Sequence, residues 1–135
     1  MSIESILAGL NDEQRQAVMS TEGAIRLIAG AGSGKTHTLT KRVAYICEKM
    51  GVAPERVLSV TFTNKAAAEM RSRVAAELKV NEDVLSICTF HSLAFEIVKD
   101  SKNKFGWKEV TIAEMSASTL TALFFSRNKG IMDDL

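Results

Sequence analysis

Short apolar runs alternate with amphipathic stretches along this chain. Three runs, Ala24 to Ala29 (AIRLIA), Val57 to Thr63 (VLSVTFT) and Val84 to Phe90 (VLSICTF), are each followed by a helical pattern and are predicted as buried strands. Leu39, Val43, Ile46 and Met50 share one helical face, and Gly51 stands where a C-cap is expected. Ala66, Met70, Val74 and Leu78 recur every fourth residue and mark a second helix, while Leu93, Ala94, Ile97 and Val98 mark a third. This alternation predicts an α/β fold with a parallel sheet and right-handed crossovers. Ligands of such sheets sit beyond the carboxyl ends of the strands. Three loops occupy that position: Gly30 to Thr36, Thr61 to Lys65, and Thr89 to Ser92.

After about Lys99 the pattern changes. Asp100 to Lys104 is polar, Gly106 breaks the helix, Trp107 to Ile112 is a candidate short extended piece, and Ser116 to Lys129 has a helical pattern. This tail begins something the chain does not finish, and a three-stranded parallel sheet leaves edges that such sheets normally cover. The chain is therefore expected to be truncated. Its 135 residues fit one domain, or one domain and part of a second. Seventeen basic against sixteen acidic side chains leave a formal charge of +1, so any nucleic-acid reading must rest on local residues. No apolar run is long enough to span a membrane. The start, MSIESILAGLNDEQ, lacks the basic region of a signal peptide. Cys47 and Cys88 share no short spacing, which argues against a disulfide framework or zinc site and for a reduced, cytoplasmic setting.

The segment Ala29-Gly-Ala-Gly-Ser-Gly-Lys35-Thr36 falls between a predicted strand and a predicted helix, the context that distinguishes a phosphate-binding P-loop from a chance glycine-rich turn. Around Ala31, Gly32, Ser33 and Gly34 the backbone N–H groups can converge on anionic oxygens, and the helix start adds the positive end of its dipole. Lys35 can reach the β- and γ-phosphates of a nucleotide, and the Thr36 hydroxyl can ligate Mg²⁺. Upstream, Asn11 and Gln14 have the spacing of a capping box. Alternatively, the Gln14 amide matches the donor and acceptor edge of adenine. Spacing alone favours the cap, and one side chain is expected to serve only one of the two in full.

VTFTNKAAAEM (Val60 to Met70) and ICTFHSLA (Ile87 to Ala94) repeat one design: a strand, then Thr-Phe, then polar residues opening a helix. Thr63, Asn64, Ser92 and the helix N–H groups suit the phosphates of a polymer, and Phe62 and Phe90 can stack on bases. Lys65, Arg71 and Arg73 supply local positive charge. The plainer alternative makes both phenylalanines core residues and both hydroxyls simple caps. His91 alone reads as a hydrogen-bonded structural histidine, and Cys88 as inert core.

Taken together, these blocks resemble the N-terminal motor domain of superfamily-one DNA helicases of the UvrD/Rep/PcrA type. LNDEQRQAV is similar to the Q motif, AGAGSGKT to motif I, VTFTNKAAAEM to motif Ia and CTFHSLA to motif Ib, over roughly Leu7 to Val98. The resemblance implies a RecA-like P-loop fold, with residues 1–99 as the N-terminal part of motor domain 1A and 100–135 as the start of helical subdomain 1B. It implies ATP as the ligand, with Gln14 on adenine and Lys35 and Thr36 as the catalytic pair holding phosphates and Mg²⁺. His37 stands beside the nucleotide where the family often has arginine. Phe62, Thr63, Asn64, Thr89 and His91 would line a single-stranded DNA track, completed by the remaining motor domains of the parent chain. The family's acidic motif, glutamine sensor and arginine fingers have no counterpart in these residues, since Ile131 to Asp134 lacks the apolar strand an acidic motif needs.

The expected parent is an ATP-dependent 3′-to-5′ DNA helicase that steps along single-stranded DNA, and this chain its N-terminal ATP-binding fragment, inactive alone. A self-contained, non-catalytic nucleotide or phosphate binder is the alternative. A small nucleotide kinase fits less well, because its lid needs arginines and only Arg127 follows Arg73.

Overall fold

The computed structural model describes residues 2–111. The sequence-predicted helix from Ser116 to Lys129, the acidic stretch Ile131 to Asp134 and the end of the extended piece at Ile112 lie outside them. The chain divides into two compact units, one running to Ala94 and the other starting at Phe95.

In the first unit, α1 (Ile3–Leu7) starts at Ser2, whose hydroxyl accepts from the Ser5 N–H. Helix α2 (Asp12–Met19) starts with a complete capping box between Asn11 and Gln14, which satisfies two of its orphan N–H groups. Helix α3 (Lys35–Met50) ends at Gly51 as expected. Strand β1 (Ser59–Thr61), helix α4 (Asn64–Leu78) and strand β2 (Ile87–Thr89) form a β-α-β unit. The strands pair in parallel, Ser59 with Ile87, Val60 with Cys88 and Thr61 with Thr89. Helix α5 spans Phe90–Asp100. Among the described residues no helix is long and apolar enough to cross a membrane.

Helix α3 joins two small cores. One side packs Ala44 and Tyr45 against Ile6, Leu10 and Val18 of the N-terminal segment. Another packs Val43 against Met70, Val74 and Ile87. Val74 is fully buried, and burial of such a side chain stabilises by about 1.5–3 kcal/mol. Thr38 and Thr40 are buried too, and each hydroxyl donates to the carbonyl one turn back, Gly34 and Thr36, at 2.9 Å. Arg42 ties α3 to α2 by donating to the carbonyls of Ala17 and Ser20 at the carboxyl end of α2, where cations are favoured.

The α/β class with parallel strands holds, and the sheet is smaller than expected. Ala24 to Ala29 forms no strand: Ile25 and Leu27 are half exposed and Ile28 is 82% exposed. An extended run becomes a strand only by exchanging backbone hydrogen bonds with a neighbour, and the two-stranded ladder formed by the described residues does not include it. The predicted face of α3 also divides, Val43 being buried while Leu39 and Met50 stay about half exposed. Leu39, Val43, Ile46, Val57 and Leu58 instead line an apolar groove of about 230 Å³ beside β1.

Candidate functional site

Two clusters gather the residues singled out above. The first is the glycine-rich loop. Gly30 accepts hydrogen bonds from the Ser33 N–H at 3.3 Å and the Ser33 hydroxyl at 2.6 Å, so the loop closes on itself. Gly34 then takes a left-handed conformation, φ 78° and ψ 27°, and serves as N-cap of α3 without a side chain to close it. The first-turn N–H groups of a helix have no acceptor within it. Here no side-chain cap supplies one, and Lys35, Thr36 and His37 are all exposed. Backbone donors, the helix dipole and an ammonium group therefore coincide, a donor set whose chemistry fits an anionic oxygen cluster.

Gln14 stands against this loop. Its Oε1 accepts from the Asn11 N–H at 3.1 Å, completing the capping box, and its Nε2 donates to the Ser33 carbonyl at 3.2 Å. The capping role expected of Gln14 is thus present, and the other end of the same amide holds the loop, since an amide carries separate donor and acceptor atoms. A Cβ added at Gly34 would lie 2.8 Å from that Nε2. Gln14, Ser33, Lys35 and Thr38 share a cleft of about 290 Å³ with Leu27 and Ile28. Glu13, which also lines it, belongs to the first turn of α2, where negative charge offsets the helix dipole.

The second cluster lies where β1 and β2 end. Because Thr61 and Thr89 are in register, the chain leaves both strands side by side. Phe62 and Phe90 meet with ring centroids 5.1 Å apart and planes tilted by 43°. They are not core residues: Phe62 is 84% exposed and Phe90 half exposed. Thr63 caps α4 by accepting from the Ala66 N–H at 3.1 Å. Asn64 and His91 are exposed. Thr89 differs from its expected companions. It is buried, its hydroxyl donates to the Ser92 hydroxyl at 3.0 Å, and it accepts from the Ser92 N–H at 3.2 Å. Its hydroxyl closes the first turn of α5 instead of facing outward.

The local positive charge expected here is largely committed within the fold. Arg71 donates to the Ile87 carbonyl at 2.7 Å, bracing β2, and Arg73 pairs with Glu69 one turn away. Only Lys65 of the three is exposed without such a contact among the described residues. Glu77 pairs with Lys41 of α3 at 2.6 Å. Burial, reinforced by the Glu48 and Glu55 carboxylates, pushes the Cys47 thiol up from its ordinary value, which keeps it protonated and unreactive at neutral pH. Sequence reasoning missed the Gln14–Ser33 contact and the Arg42 anchor. The second pairs an arginine on α3 with helix-end carbonyls 22 and 25 residues earlier, a long-range contact that periodicity does not weigh.

Residues 10–132 match the family model described as the UvrD/REP helicase N-terminal domain. The chain is similar to the ATP-dependent DNA helicase PcrA of Leuconostoc citreum, 46% identical over 121 residues, which cover 87% of this chain and 16% of that protein. The protein of that name from Bacillus subtilis is 46% identical over 101 residues, 75% of this chain and 14% of its own length. The Staphylococcus aureus protein is 42% identical over 104 residues, 77% of this chain and 14% of its own. The chain thus spans about 14–16% of the length of the curated relatives it matches.

Proposed function

This chain belongs to the UvrD/REP helicase family, and from that premise we propose that it is the nucleotide-binding start of an ATP-dependent DNA helicase that moves 3′ to 5′ on single-stranded DNA. The fold of this reading is a RecA-like P-loop motor, residues 1–99 belonging to domain 1A and 100–135 opening subdomain 1B. The observation that carries it is the uncapped start of α3 behind the self-closed loop, with Lys35 beside it and the Gln14 amide against Ser33.

In this reading the N–H groups from Ala31 to Thr36 cradle the phosphates, and Lys35 adds a charge-assisted contact to the outermost ones. The Thr36 hydroxyl is exposed at the helix start, a hard oxygen suited to Mg²⁺, which would neutralise phosphate charge when bound. Gln14 exchanges its contacts with Asn11 and Ser33 for the edge of adenine, so base recognition and loop position share one side chain. His37 sits next in the helix, beside the phosphates. Phe62 offers a ring to a base, while Asn64 and His91 offer polar contacts to the strand. Thr63 and Thr89 contribute indirectly, by capping the helices that carry these residues.

A protein of these 135 residues is expected to bind Mg·ATP without hydrolysing it. Phosphoryl transfer requires oriented water and neutralised developing charge, whereas Glu69 and Glu77 are engaged by Arg73 and Lys41. Isothermal titration with ATP tests the binding claim. Lys35→Ala should weaken affinity by about 10- to 150-fold, the equivalent of a charge-assisted contact of about 1.5–3 kcal/mol. Equal affinities would remove Lys35 from the site. Phosphate release that depends on DNA and disappears in Lys35→Ala would contradict the claim of inactivity and make this chain a complete ATPase.

A further inference from the structure

The second unit carries an arrangement that the reading above does not use. Residues 102–108 run Lys-Asn-Lys-Phe-Gly-Trp-Lys, three lysines and two aromatics in seven residues with no acid among them. A 3₁₀ turn over Lys102–Phe105 ends at Gly106, whose φ of +70° is open to glycine and costly for other residues. The Trp107 N–H donates back to the Lys102 carbonyl at 3.0 Å, which fixes the chain on both sides of that glycine. The Phe105 and Trp107 rings stack, centroids 4.8 Å apart and planes 22° from parallel. A core pair would lose its surface to neighbours, yet Phe105 stays 64% and Trp107 47% exposed. Lys104 and Lys108 are exposed as well, and no ion pair engages them among the described residues.

We propose that the Phe105–Trp107 stack, flanked by Lys104 and Lys108, is a binding site for single-stranded nucleic acid, separate from the loops at the ends of β1 and β2. The lysines select a polyanion, and the open ring faces select one that presents flat aromatic surfaces. Unpaired bases on a phosphate backbone meet both demands. A duplex hides its base faces, and an acidic peptide has none to offer. The two rings, already stacked on each other, need little further ordering before a base extends the stack.

Trp107 is the chain's one tryptophan, so its fluorescence reports on this site directly. Titration of the 135-residue chain with a thymidine oligonucleotide should quench Trp107 saturably. An abasic strand of equal length and charge should quench far less, as should a duplex. Phe105→Ala and Phe105→Leu should both weaken binding roughly fivefold or more, because base–aromatic stacking is lost even when leucine keeps the apolar bulk. Far-UV circular dichroism checks that both variants fold. Lys104→Gln with Lys108→Gln should lower the slope of log affinity against log salt by about 1.4. Because Trp107 is the only tryptophan, the quench scores this site apart from the strand-end loops. Absence of saturable quenching, equal quenching by the abasic strand, or unchanged affinity in both Phe105 variants would each overturn the proposal.

Discussion

Helices α3 and α4 both begin just after a loop that follows an apolar run, and they treat their first-turn N–H groups in opposite ways. At α4, Thr63 turns its hydroxyl onto the Ala66 N–H, so that donor is occupied, and Phe62 stands out beside it. At α3 the N-cap is Gly34, which has no side chain to offer, and the donors stay open beneath Lys35. In the proposed function the first helix start therefore offers a ligand its backbone and the second its side chains. Occupying a cap and offering an anion site are competing uses of the same few N–H groups. One residue, glycine or threonine, decides between them.

The largest way to break this contrast is Gly34→Val. A β-branched residue at φ 78° costs about 1–3 kcal/mol in backbone strain, and its Cβ would also press on the Gln14 amide. Nucleotide affinity should fall by roughly 3 kcal/mol in all, beyond a hundredfold in a calorimetric titration; a variant binding as well as the parent would show that the open helix start is not the site. Next is Phe62→Ala, which should weaken binding of a thymidine oligonucleotide by about 1–3 kcal/mol as read by anisotropy. Because Phe62 is 84% exposed, thermal stability should hardly change; a large loss of stability would return the ring to a packing role. The smallest effect belongs to Thr63→Ala. Loss of the cap should cost about 1 kcal/mol in a urea titration while leaving nucleotide affinity alone, and a matching loss of nucleotide affinity would mean the two helix starts are coupled.

The features readable from the chain were those set by local chemistry. The glycines and lysine of the loop, the capping box at Asn11 and the periodicities of α3 and α4 each concern neighbours within a turn or two. What periodicity could not supply was the partner. Ala24 to Ala29 has the composition of a buried strand, but a strand exists only where another backbone accepts its hydrogen bonds. The face of α3 was misjudged for a related reason. That helix serves two cores at once, so Ala44 and Tyr45 are buried by the N-terminal helices while Leu39, in the expected stripe, stays open. Phe62 was open to two readings, a stacking ring or a core residue, and the geometry leaves it in solvent. For Gln14 the cap was legible from its spacing to Asn11, whereas the contact of its other end with Ser33, 19 residues away, was not.

The most direct test of the account follows backbone amides one by one. In ¹H–¹⁵N spectra of the 135-residue chain titrated with Mg·ATP, the N–H signals from Gly32 to His37 should move saturably and together, with the Gln14 side-chain amide moving alongside them. The amide of Ala66, already closed by Thr63, should stay in place. Saturable shifts that bypass residues 32–37, or an unchanged spectrum at millimolar nucleotide, would contradict the claim that the uncapped start of α3 is the phosphate site.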